Sequence, residues 1–220
     1  MTAPTARGPL FHDIDSGNPP VFWHTDSNCE NLVLDIMEQL DPTRFVETGT
    51  HLGWTCMWLA ERYPHLSVSS VEIDSLFYGI AQHNCKAYPN IKLYNMSSPD
   101  FLALIYPQLR KGLTFFSLDA HWWRYTPLKD ECKIISTLDK YVVIVDDFAC
   151  KNPDFGGDLF PDDNGVPLVV ENNIDYLGDT LGKKFWRPDY PEPKPNGKGY
   201  ALFLKGVNYE PPKTMKLEGG

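Results

Sequence analysis

From residue 44 onward, short runs of β-branched and aromatic residues alternate with longer stretches whose apolar positions recur at helical spacing. The short runs predict strands over residues 44–47 (RFVE), 67–72 (SVSSVE), 91–94 (IKLY), 113–118 (LTFFSL) and 141–145 (YVVIV). The longer stretches predict helices over 55–63, 76–87, 99–109 and 128–138, with Pro64 and Pro89 closing the first two. Residues 148–167 (FACKNPDFGGDLFPDDNGVP), rich in Gly, Pro and Asp, are long for a connection and read as a lid or a disordered segment. A helix over 168–181 is expected next. Two apolar runs, 184–187 (KFWR) and 200–205 (YALFLK), then flank a Pro-rich stretch and read as a closing hairpin. The pattern predicts an α/β fold with a mainly parallel seven-stranded sheet, helices on both faces and a C-terminal antiparallel hairpin. Residues 1–30 read as an N-terminal extension, 31–206 as a single domain and 207–220 as a tail.

Composition narrows the function classes. With 42% hydrophobic and 22% charged residues among 220, the chain can bury a core, which excludes wholesale disorder. Twenty Lys and Arg against 29 Asp and Glu leave a net charge of -9, with no basic run, so a nucleic-acid partner is not expected. No stretch approaches the roughly 18 apolar residues of a membrane span, and the first residues lack an apolar signal core. A cytoplasmic protein without a membrane partner is the expectation. The five cysteines are widely spaced without a C-x-x-C pair, and read as reduced thiols.

The chemistry concentrates at strand ends. In residues 45–55 (FVETGTHLGWT) a buried strand ends in Glu47, turns through Gly49 and Gly53 and enters a helix, a place where a nucleotide-like ligand docks on free backbone N–H groups. The G-x-G-x-x-G spacing that a pyrophosphate favours is absent. What stands there is E-x-G-x-x-x-G, whose leading carboxylate repels a pyrophosphate and suits a ligand with an ammonium group. Glu72 ends the second strand (VEID), the place from which a carboxylate accepts both hydroxyls of a ribose. As plain structure, Asp74 reads as a helix cap, and Ser97 and Ser98 as turn and cap residues.

On ETGTHLG, VEID, NMSSPDF and SLDAHW, in that order, the chain resembles the Rossmann-like class I S-adenosylmethionine-dependent methyltransferases over residues 40–205. The resemblance implies that Glu47, Gly49 and Gly53 surround the methionine part of the cofactor, Glu72 holds the ribose, and Ser97 and Ser98 flank the adenine. Thr48, Thr50, Ile73 and Asp119 complete the implied cofactor-binding set. Two positions depart from the family's commonest pattern: His51, where a glycine often stands, and residues 96–98, where Gly-Asp is common.

Asp119 and the pair Asp146 and Asp147 end neighbouring predicted strands. Three converging carboxylates repel unless one takes up a proton or a hard cation sits among them. This resembles the metal-dependent sugar O-methyltransferases of macrolide and aminocoumarin biosynthesis and the cephalosporin-hydroxylase-like group. That likeness implies Mg²⁺ held by Asp119, Asp146 and Asp147, Asp119 and His121 as catalytic residues, and a small-molecule hydroxyl as methyl acceptor. His121 stands as a further ligand or a general base. Trp122, Trp123 and Tyr125 would stack on the acceptor, under a lid carrying Asp154, Asp158, Asp162 and Asp163. Two alternatives stay open: a non-catalytic S-adenosylmethionine-binding module, and a metal-dependent hydroxylase or hydrolase on the same fold. The sequence leaves the acceptor's identity open, and the oligomeric state too, a homo-oligomer included.

Overall fold

The computed structural model describes residues 26–120, 126–157, 159–161, 169–191 and 198–219. Strands β1 (Arg44–Thr48), β2 (Ser67–Glu72), β3 (Ile91–Asn95), β4 (Thr114–Leu118) and β5 (Tyr141–Val145) are parallel and lie in the order β3-β2-β1-β4-β5. They are joined through α2 (Trp54–Arg62), α3 (Ser75–Cys85), α4 (Ser98–Leu109) and α5 (Leu128–Ser136). Every residue of β4 and β5 is buried, because helices cover both faces of a parallel sheet and leave no side for polar alternation. Successive residues of one strand therefore feed opposite cores. Phe45, Phe115 and Val142 pack with Ile36 and Leu59 on one face, and Val46, Phe116 and Val143 with Phe101 and Ile135 on the other.

β8 (Phe185–Pro188), β9 (Ala201–Lys205) and β10 (Met215–Glu218) continue the sheet antiparallel, β9 against β5, β8 against β9 and β10 against β8. The sheet thus has eight strands where the sequence pattern predicts seven. The eighth comes from the segment read as a tail, and the buried Arg187 of β8 binds Glu218 of β10 at 2.9 Å. Before β1 stands α1 (Ser27–Leu40), capped by Asp26, which accepts from the N–H groups of Asn28 and Cys29. Its Cys29, Leu32, Val33, Ile36 and Met37 form a buried stripe at helical spacing.

The helix expected over 168–181 does not form. β7 (Val169–Glu171) pairs instead with β6 (Leu159–Pro161) in a separate two-stranded sheet, and only α6 (Ile174–Leu177) is helical. The β-branched pair at 169 and 170 favours a strand, and Asn173 restarts the chain as a cap, accepting from the N–H groups of Asp175 and Tyr176. All five cysteines are buried and free. Among the described residues no helix is long and apolar enough to cross a membrane.

Candidate functional site

The strand order reverses between β1 and β4, so the carboxyl ends of these strands diverge and open a crevice. The turn after β1 is pinned to β2: the N–H groups of Gly49 and Thr50 donate to the Val71 carbonyl at 3.0 and 3.1 Å. Gly49 has φ +88°, and a Cβ there would stand 2.5 Å from the carbonyl oxygen of Asp119, so a side chain is excluded on both counts. His51 takes the left-handed conformation (φ 48°), one that glycine adopts without the steric cost a Cβ imposes. Its N–H donates to Glu72 Oε2 at 2.8 Å, while that of Asp74 donates to Oε1 at 3.0 Å. The ring of His51 packs on Phe77 with centroids 4.6 Å apart.

These residues border a cavity of about 270 Å³. Val71, Ile73, Phe77, Met96 and Pro127 form its apolar walls, and Gly49, His51, Glu72, Ser97, Ser98, Asp119 and Ala120 the remainder. Two carboxylates and no Lys or Arg stand among these lining residues, a balance suited to a ligand with cationic centres and opposed to a pyrophosphate. Of the residues singled out from sequence, Gly49, Glu72, Ile73, Ser97, Ser98 and Asp119 meet here. Ser97 also caps α4, its hydroxyl accepting from the Asp100 N–H at 3.4 Å and donating to Asp100 Oδ2 at 2.6 Å.

Glu47, Thr48, Thr50 and Gly53 lie behind the lining rather than on it. Glu47 points into the core, where its Oε2 accepts from the Ser70 hydroxyl at 2.7 Å and the Cys56 thiol at 3.1 Å. Ser70 is itself 2.6 Å from the Thr50 hydroxyl. Burial pushes the Glu47 carboxyl up from 4.5 to about 7, against the hydrogen bonds that favour its charge. Gly53 heads α2 with φ +81°, and a Cβ there would meet the Cys85 sulfur at 2.8 Å.

The expected convergence of Asp119, Asp146 and Asp147 on a cation is not found. Among the described residues no three His, Cys, Asp or Glu side chains form a group that could hold a metal. Asp119 borders the cavity, whereas Asp146 and Asp147 do not. Asp146 Oδ1 accepts the Asp147 N–H at 3.0 Å, and Asp147, two residues after β5, takes the left-handed φ of 50°. His121, Trp122, Trp123, Tyr125, Asp158, Asp162 and Asp163 lie outside the described residues, and Asp154 is exposed.

One acid escapes the sequence reading. Glu131 of α5 is 0% exposed and lies within the buried stripe Leu128, Glu131, Cys132 and Ile135. Burial pushes its carboxyl up from 4.5 to about 7; the Ser98 and Thr48 hydroxyls beside it act in the opposite sense, and the Asp119 charge adds to the rise. Among the described residues neither Glu131 oxygen has a partner within hydrogen-bond geometry, nor do the buried hydroxyls of Thr48 and Ser98. The signal in the sequence was its spacing: it occupies an apolar position of the helix.

No protein-family model matches the chain, and no curated protein matches it in sequence. Solved structures do. An O-methyltransferase from Bacillus cereus, in complex with SAH, superimposes with a TM-score of 0.57 at 16% identity, covering 82% of this chain and 81% of its own. The O-methyltransferase TomG from Streptomyces achromogenes, involved in tomaymycin synthesis and solved with SAM, gives a TM-score of 0.55 at 18% identity, covering 81% of this chain and 79% of its own. The fold is the class I methyltransferase fold. In this methyltransferase fold the cavity sits at the topological switch point, where open α/β sheets take their ligands.

Proposed function

We propose that the chain is an S-adenosylmethionine-dependent methyltransferase acting on a hydroxyl of a small molecule. The observation that carries the reading is Glu72. Its two oxygens are fixed by backbone donors at 2.8 and 3.0 Å at the rim of a cavity with no Lys or Arg among its described lining residues. Each oxygen keeps a further lone pair, so the carboxylate presents two acceptors to the neighbouring hydroxyls of a ribose. When bound, the donor supplies an activated methyl group on a sulfonium.

The protein's own part is binding, orientation and the management of one proton. Val71, Ile73, Phe77, Met96 and Pro127 exclude water from a planar base, and Gly49 lets the ligand lie against the backbone of the first turn. Asp119 stands across the turn from Gly49, where its carboxylate accepts the acceptor hydroxyl's hydrogen bond and orients its oxygen for in-line attack. His121, two residues on, is the general base in this reading. Mg²⁺ assistance is the finer expectation from the resemblance. The described carboxylates do not fit a three-acid cation site.

The test is methyl transfer from labelled S-adenosylmethionine to a panel of hydroxylated small molecules, with wild type and Asp119→Asn. Transfer by wild type, reduced about 100-fold or more in the variant, is expected. Binding without transfer to any acceptor would favour the non-catalytic module. Loss of transfer on chelation, restored by Mg²⁺, would reveal a cation site completed by the acceptor.

A further inference from the structure

Behind the cavity wall, Glu131, Thr48 and Ser98 bring a carboxyl and two hydroxyls together in a space closed to solvent. They come from three separate elements: the first turn of α5, the last residue of β1 and the first residue of α4. Thr48 directly precedes Gly49, and Ser98 borders the cavity itself. A buried carboxyl without a hydrogen-bond partner destabilises a fold, and an apolar residue of similar size is usually the more stable choice at such a position. A costly group retained beside a ligand cavity points to a role in the ligand-bound state. Hydrogen bonds at such sites are often long before the ligand arrives and tighten when it binds.

Resting on the methyl-donor reading of the cavity, we propose that Glu131 is a positioning residue of the donor site. It ties Thr48 and Ser98, and with them the end of β1 and the head of α4, into the places the bound donor requires. The bridge Thr48–Glu131–Ser98 closes as the donor binds: both hydroxyls donate to the carboxyl, and the two walls of the cavity are drawn to one spacing.

The test is calorimetric titration of wild type, Glu131→Gln and Glu131→Leu with S-adenosylhomocysteine, alongside thermal unfolding of each without ligand. Glu131→Gln, which keeps an acceptor for the hydroxyls, should bind within about threefold of wild type. Glu131→Leu should bind about tenfold more weakly or worse, yet unfold at the same or a higher temperature than wild type. A Thr48→Val, Ser98→Ala double variant should bind as weakly as Glu131→Leu. Unchanged affinity in Glu131→Leu, or a fall in its unfolding temperature alongside the affinity, overturns the proposal. If the Leu variant does not fold, the proposal likewise fails. Wild type that binds neither S-adenosylhomocysteine nor S-adenosylmethionine overturns the methyl-donor reading instead, and this proposal with it.

Discussion

At the scale of single side chains, Glu72 is held by two backbone N–H groups and so presents its carboxylate in one orientation. Glu72→Ala should therefore weaken S-adenosylmethionine binding by about 1–3 kcal/mol, the worth of hydrogen bonds to a charged group, measured by calorimetry. Gly49 is constrained twice, by its φ of +88° and by the Asp119 carbonyl 2.5 Å from any Cβ. Gly49→Ala should cost about 2 kcal/mol or more in denaturant unfolding, and a variant as stable as wild type would contradict the close approach. Both residues were legible in the sequence, because strand-end acids and turn glycines leave marks in residue type and spacing. Glu47 was legible as important but not in its contacts: nothing in ETGTHLG tells that Ser70 and Cys56 take its carboxylate into the core. Glu131 was hidden because KDECK reads as a solvated helix face unless its place on the buried stripe is counted.

At the scale of elements, α3 carries Phe77 to the cavity, and its start is fixed by Asp74, which accepts from the N–H groups of Leu76 at 2.7 Å and Phe77 at 3.3 Å. Asp74→Ala should destabilise the protein by about 0.5–2 kcal/mol through loss of the cap, read by thermal unfolding. The five parallel strands were legible because buried strands between two helical layers leave short apolar runs at regular intervals. The expected helix over 168–181 failed because its apolar positions serve two elements: a β-branched pair in β7 and a one-turn α6 restarted by Asn173. Local composition does not distinguish one long helix from that broken arrangement. The eighth strand was missed for a related reason: β10 has the exposure pattern of an edge, with Met215 buried and Lys216 and Leu217 exposed, so a Pro- and Gly-bearing polar tail and an edge strand look alike in sequence.

At the scale of the whole molecule, the ends of β1 and α5 each bury a carboxyl whose pKa is raised from 4.5 to about 7, Glu47 and Glu131. Between these values the folded chain keeps protons that the unfolded chain has released. The contribution of the two groups to stability is thus fully present below pH 4.5 and is lost as pH rises toward 7. Each carboxyl accounts for roughly 3 kcal/mol across that window. Denaturant unfolding at pH 5 and pH 8 should show wild type losing more stability than a Glu47→Gln, Glu131→Gln double variant over the same interval. Parallel losses would contradict the buried, partly protonated state of both acids.

At the same scale, the proposed function requires that the switch-point cavity between β1 and β4 take a methyl donor. The measurement that tests it most directly is calorimetric titration of the wild-type chain with S-adenosylmethionine and S-adenosylhomocysteine, with NAD as the control. Saturable binding of both sulfur ligands, weakened by Glu72→Ala and absent for NAD, is the predicted result. Absence of binding for both sulfur ligands, or binding of NAD in their place, would contradict it.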